Sequence, residues 1–221
     1  MIYIANNINA FDLETACRMV SKQRLEKACR YRFEILKRES VIAYLLLCHT
    51  LKEEYGITSP PEFEYMETGK PVLCGYPDIH FNISHCRKGV ACILDSKPAG
   101  IDIEEIKPLD VEVAGNVLSE EEYKSILGSD APETDFTVLW TRKESFLKMT
   151  GKGLAGNLKE VKTMGENFLT HINDFQGYVC SASLAHGSLC VKKFSEIDSL
   201  ELVDGCYNNH LNDIGNKIAV P

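Results

Sequence analysis

No C-x-x-C pair occurs in these 221 residues and the nine cysteines are odd in number, which speaks against both a zinc ribbon and a disulfide framework. At positions 17, 29, 48, 74, 86, 92, 180, 190 and 206 they read as reduced, mostly packed thiols. Long apolar runs are also missing. The longest, residues 41–48, is far short of the roughly 20 residues that cross a bilayer. Residues 1–10 show no basic start followed by an apolar stretch, so no secretory signal is indicated, no membrane partner is expected and the protein is placed in the cytoplasm. Positive charge is scarce, with 24 Lys and Arg against 32 Asp and Glu for a net −8. That balance argues against a nucleic-acid partner, and any anionic ligand has to be met by local cations such as those clustered between Lys22 and Arg38. What is present is a 44% apolar composition, ample for one large core or two small ones.

Helical periodicity runs from about residue 21 to 54, bent near 31–36, with a second half so apolar (Val41, Ile42, Leu45, Leu46, Leu47) that the helix must be buried. Gly56 and Pro60-Pro61 end it. Alternation at Ile79, Phe81 and Ile83 marks one strand, residues 90–94 a second and 101–104 a third, together an expected antiparallel meander on the long helix. After Pro108 a helix is expected at 119–126, where Ser119 and Glu122 form a capping box. A strong helix follows at 133–149, closed by Gly151, then strands near 168–172, 177–182 and 189–194. The element order implies an α+β fold in two halves, residues 1–105 and 106–221, with no short-period repeat.

Three clusters carry chemistry. In Gly100-Ile101-Asp102-Ile103-Glu104, turning the isoleucines into a core makes the two carboxylates project together, roughly 6–7 Å apart, near enough to share one hard cation. Alone, such a pair is more often a solvated acidic strand face. Trp140, Glu144 and Lys148 lie at i, i+4 and i+8 along one helical stripe, which by itself is a surface ion pair worth about 0.3–0.5 kcal/mol. A carboxylate from that helix would, however, complete a magnesium site begun by the strand. Ile79-His80-Phe81-Asn82-Ile83-Ser84-His85 is a strand ending in groups able to donate hydrogen bonds to phosphate, with His85 placed to face a cleft and His80 read as structural.

In this order, Gly69-Lys70-Pro71, Phe-Asn-Ile-Ser-His (81–85), Gly-Ile-Asp-Ile-Glu (100–104), and Trp-Thr-Arg-Lys-Glu-Ser-Phe-Leu-Lys (140–148) with Gly-Lys-Gly-Leu (151–154) closely resemble the Sfp-type 4′-phosphopantetheinyl transferases. The resemblance is dense over residues 69–154 and fades after about 160. It implies a pseudo-twofold α+β protein of two similar halves, each a small antiparallel sheet packed on helices. It further implies a monomer with coenzyme A and Mg²⁺ in the cleft between halves, and an apo acyl or peptidyl carrier protein whose serine hydroxyl takes the phosphopantetheine. By motif, Asp102, Glu104 and Glu144 would be Mg²⁺ ligands, Glu144 also the base and Lys148 the cation on the pyrophosphate. Ser84 and His85 would hold phosphates, and Gly69, Lys70 and Pro71 would lie near the adenine end.

Two departures accompany the resemblance. Where the family commonly carries an arginine just before the apolar helix, Glu39 stands, with Arg38 beside it as the candidate for the 3′-phosphate. Around Asn116-Val117-Leu118-Ser119 the basic and aromatic residues of relatives are absent, and no basic strip follows residue 106 until Arg142-Lys143. The choice between fatty-acid, polyketide and peptide-synthetase carriers stays open on this basis.

Overall fold

The computed structural model describes residues 1–151, 157–165, 167–185 and 193–206; Lys152, Gly153 and Leu154 of the last motif, Cys190 and most of the expected strand at 189–194 lie outside them. Strand β1 (Ile2–Asn6) leads through the short helices α1 (Leu13–Met19) and α2 (Lys22–Cys29) into α3 (Glu34–Tyr55). The expected bend near 31–36 is a break between two helices. A hairpin of β2 (Phe63–Tyr65) and β3 (Pro71–Leu73) follows, then β4 (His80–Cys86), β5 (Gly89–Asp95) and β6 (Ala99–Glu105). Helices α4 (Val111–Val117), α5 (Glu120–Leu127) and α6 (Pro132–Thr150) precede β7 (Phe168–Asn173), β8 (Tyr178–Leu184) and β9 (Phe194–Asp198). The capping box at Ser119 and Glu122 is formed, and Gly151 closes α6 in the left-handed conformation at φ 70°. The fold is α+β, as expected.

Two sheets make up the body, one in the order β4-β5-β1-β9 and the other β6-β8-β7. Pairing is antiparallel except between β1 and β9, which run parallel. Residues 2–6 carry no polar–apolar alternation, since both faces of β1 are buried. Tyr3 and Ala5 join Val90, Cys92 and Leu94 under the apolar half of α3. Ile2 and Ile4, with Ala91 and Ile93, instead face Ile101 and Ile103 of β6 and Tyr178, Cys180 and Ala182 of β8. The first sheet is therefore the middle layer between α3 and the second sheet, and a strand buried on both faces loses the period-2 signature.

The meander expected from 79 to 104 is corrected at its third strand, which pairs with β8 instead of β5. Alternation tells which residues share a face but not which neighbour a strand takes. Here the Asn82 side-chain oxygen accepts from the Ile101 N–H at 2.9 Å, so one amide ties β4 to β6 where no ladder runs. Strands thus cross the 105/106 boundary between sheets: β6 pairs with β8, which carries β7 on its other edge, and β9 joins β1. On its other face β6 meets α6 without a spacer, since a Cβ added to Gly100 would stand 2.0 Å from the Ser145 carbonyl oxygen and 2.5 Å from the Met149 nitrogen. Hydroxyls line the rest of that seam, Thr141 with Ser181 at 2.8 Å and Ser145 with Ser183 at 2.7 Å.

Gly100→Ala should therefore push α6 off β6, lowering stability by about 1–3 kcal/mol as overpacking generally does. Urea unfolding measures the loss, and an unchanged midpoint would contradict the packing described.

Candidate functional site

Asp102 and Glu104 emerge from β6 on the face opposite Ile101 and Ile103, toward α6, as the alternation required. Glu144 and Lys148 descend from α6 onto them, and Ser84 and His85 come from the end of β4. With Trp140 and Ile83 these side chains line one cleft. Asp102 is 2% exposed, and its Oδ1 accepts from the Ser84 hydroxyl at 2.8 Å and from the Lys148 ammonium at 2.5 Å. Lys148 also donates to the Ser84 hydroxyl at 2.9 Å, and its own carbonyl accepts from Lys70 Nζ at 2.9 Å. Four residues far apart in the chain thus close into one charge-assisted network.

Burial and the neighbouring Asp102 charge raise the proton affinity of both Glu104 and Glu144 above the ordinary carboxylate range, with Lys148 working in the opposite direction. Trp140 donates a hydrogen bond that favours ionised Glu104. Desolvation pushes the Lys70 ammonium down.

Among the described residues no three histidine, cysteine or carboxylate side chains stand close enough together to hold a metal ion as they are. The positive charge on Asp102 is the Lys148 ammonium. Two oxygens nevertheless are buried and make no hydrogen bond, Oδ2 of Asp102 and Oε1 of Glu144. Orphaned carboxylate oxygens in a shared cleft are the donor chemistry of a hard divalent cation, so the residues present fit one.

Beside the cleft, sharing Ile83 and His85 with it, opens a cavity of about 300 Å³. Gly69, Lys70 and Pro71 form part of its wall, as do Arg24 and Lys27 of α2. Arg38 is not brought there. It lies in a separate depression, ion-paired to Glu34 at 2.8 Å, donating to the Phe11 carbonyl at 2.8 Å and stacked over the Phe11 ring. Glu39 does line the cavity, and one of its oxygens meets His85 Nδ1 at 3.1 Å. The basic cluster over 22–38 is legible in the sequence, but not that Arg24 and Lys27 are its members lining the cavity. Helical spacing from Arg24 to Lys27 was the available signal.

The pair Arg142-Lys143 is no docking strip. Lys143 is 0% exposed, donating to the Leu158 and Val161 carbonyls at 2.8 and 3.1 Å and paired with Glu122 at 2.9 Å. Arg142 is turned onto Thr170 at 2.9 Å.

The family model for the 4′-phosphopantetheinyl transferase superfamily matches residues 98–186, a span holding β6, α6 and the cleft residues Asp102, Glu104, Glu144 and Lys148, with Ser84 and His85 before it. The chain is 40% identical over 144 residues to the 4′-phosphopantetheinyl transferase psf-1 of Bacillus pumilus, covering 63% of this chain and 61% of that protein, less than two thirds of its length. It is 36% identical over 157 residues to the 4′-phosphopantetheinyl transferase Sfp of Bacillus subtilis (strain 168), covering 70% of each. The 4′-phosphopantetheinyl transferase ffp of Bacillus subtilis is 30% identical over 200 residues, 89% of this chain and 86% of that protein.

Two outcomes check this geometry. Because Glu144 holds its proton more tightly folded than unfolded, its stabilising contribution is complete below the unfolded value of 4.5 and is lost as pH rises through the folded value. In metal-free buffer Glu144→Gln should therefore melt above the wild type at pH 7–8, with the gap closing toward pH 4; a constant gap would refute the cause given. Lys143→Ala, leaving Glu122 without its partner, should lower stability by about 3 kcal/mol, read by denaturant unfolding, with Lys143→Met recovering part of it.

Proposed function

The chain belongs to the 4′-phosphopantetheinyl transferase superfamily and is a transferase, and on that premise we propose that it moves the 4′-phosphopantetheine group of coenzyme A onto a serine hydroxyl of an apo acyl or peptidyl carrier protein, releasing adenosine 3′,5′-bisphosphate. The observation that carries this reading is the union of Ser84, Asp102, Glu144 and Lys148 in one cleft that opens into a cationic cavity. Phosphoryl transfer asks a protein for in-line positioning and charge neutralisation more than for a covalent nucleophile. This cleft contains polar and charged groups suited to those tasks.

Coenzyme A brings about four negative charges, so a protein of net −8 has to concentrate cations where it binds. In this reading the adenine end lies in the cavity by Gly69, Lys70 and Pro71, which Arg24 and Lys27 also line, and the pyrophosphate reaches the cleft at Ser84, His85 and Lys148. Asp102, Glu104 and Glu144 would hold Mg²⁺, which when bound supplies charge neutralisation to the pyrophosphate oxygens. Lys148 exchanges its hydrogen bond to Asp102 for one to phosphate. Glu144 accepts the proton of the attacking serine hydroxyl.

The halves 1–105 and 106–221 then act as the two walls of the cleft, the first bringing Lys70, Ser84 and His85, the second Glu144 and Lys148. Every group comes from one chain, so a monomer suffices. Eight cysteines are free among the described residues, which supports a cytoplasmic setting; no described helix is long and apolar enough to cross a membrane. The net negative charge supports the absence of a nucleic-acid partner.

Incubation with coenzyme A, Mg²⁺ and a panel of purified apo carriers should raise the mass of at least one by a phosphopantetheine group. Chelation should abolish the change. Glu144→Gln and Lys148→Ala should each lower kcat/KM by about 10²–10³. Free phosphopantetheine appearing with no carrier modified would identify a phosphohydrolase instead and sink this reading.

A further inference from the structure

Between residues 104 and 135 the chain carries ten carboxylates and two lysines, a net of −8 that equals the formal charge of all 221 residues. The rest of the molecule is neutral on balance. Both lysines of this stretch are already paired, Lys107 with Glu105 at 3.8 Å and Lys124 with Glu120 at 2.5 Å. The next cations along the chain, Arg142 and Lys143, are held by Thr170 and by Glu122. Asp110, Glu112 and Glu121 by contrast are exposed.

The same stretch lines a groove of about 260 Å³ beside the cleft. Pro108, Val113, Phe136 and Trp140 give the groove an apolar lining, and Glu104, Glu105 and Asp110 an acidic one. Val113 is 39% exposed and its neighbour Val111 55%, so apolar surface remains open at the start of α4. The groove shares Glu104 and Trp140 with the cleft and no residue with the cationic cavity. In-line displacement brings the nucleophile in on the side away from the leaving group. With the nucleotide in the cavity, as in the binding mode on which this inference rests, the carrier serine therefore enters from the groove, and its carrier covers the acidic stretch. We propose that this face determines acceptor specificity, selecting a carrier that lays an apolar side chain in the groove and presents lysine or arginine beside the modified serine.

Charge complementarity across an interface speeds encounter with the right partner, and like charges set against each other reject the wrong one. A carrier with acidic residues around its serine would meet Glu105, Asp110 and Glu112, and the lysine at that place, Lys107, is already held by Glu105. A basic carrier surface finds partners there. These charges are exposed or half-exposed, so each contributes modestly and is weakened by salt. The selection therefore acts on the encounter with the carrier and leaves the chemical step alone. Coenzyme A, bound among the cations of the separate cavity, is not affected by it. Burial of an apolar side chain against Val113, Phe136 and Trp140 adds affinity that does not depend on the sign of the carrier's charge.

One apo carrier that the enzyme modifies, made in two versions with lysines or with glutamates at the same surface positions flanking the serine, tests the proposal. The lysine version should show a kcat/KM about tenfold higher, through the KM for the carrier, and the gap should narrow as salt rises. Glu112→Lys, checked for folding by its melting curve, should reduce that ratio about threefold with the KM for coenzyme A unchanged. Val113→Ser should raise the carrier KM for both versions alike. A wild type that favours the glutamate version, or shows no preference at low salt, overturns the acidic selection while the transferase reading stands. An unchanged ratio in Glu112→Lys overturns it equally. If no carrier of either charge is modified, both fall together.

Discussion

Between Gly100 and the backbone of α6 there is no room for a methyl group, and the arrangement of the cleft follows from that contact. A helix packed on a sheet usually stands off by the length of interdigitating side chains. Here the hydrogen of a single glycine lets the stretch from Ser145 to Met149 settle directly on β6, two residues before Asp102. Glu144 and Lys148 flank that contact on α6 and are brought down to the carboxylates of the strand. The small hydroxyls of Thr141, Ser145, Ser181 and Ser183 extend the close seam without leaving unpaired donors. The helix is thus held by sterics and short hydrogen bonds, and the charged groups at its edge can remain reactive.

The electrostatics follow from this packing. Three carboxylates are gathered where burial raises the cost of ionising two of them, and the charge on Asp102 is met by Lys148. The protein is acidic overall, yet its cations at this place come from elements that are separate in the chain: Arg24 and Lys27 from α2, Lys70 from the turn before β3, Lys148 from α6. Such a division suits a ligand that is anionic along its whole length, because each cation can meet a different charge. Among them stands one carboxylate, Glu39, paired with His85 at 3.1 Å.

Much of the chemistry could be read from local spacing. Alternation placed Asp102 and Glu104 on one face, and helical periodicity put Trp140, Glu144 and Lys148 on one stripe. Both statements depend only on backbone geometry within a single element. The capping box at Ser119 and the left-handed Gly151 were legible for the same reason. Arg38, Lys143 and the Arg24–Lys27 pair were not. Whether a helical cation faces a cavity, a neighbouring carbonyl or solvent depends on what the rest of the chain packs against it. Lys143 illustrates this. It reads as a surface charge beside Arg142, yet it is buried, held by two carbonyls and Glu122.

The division between levels is physical. Periods of two and 3.6 residues, capping residues and the order of four short motifs are properties of the chain itself, and they determined the element types, the family and the list of charged groups. Pairing partners are non-local. That β6 leaves the first sheet for β8, that β1 is buried on both faces, and that β9 returns to lie parallel to β1 were decided by competition among packed layers. Only that competition set Glu39 beside His85 and turned Arg38 to a different depression, because adjacent residues on a helix point about 100° apart and the sequence carries no record of which direction holds the ligand.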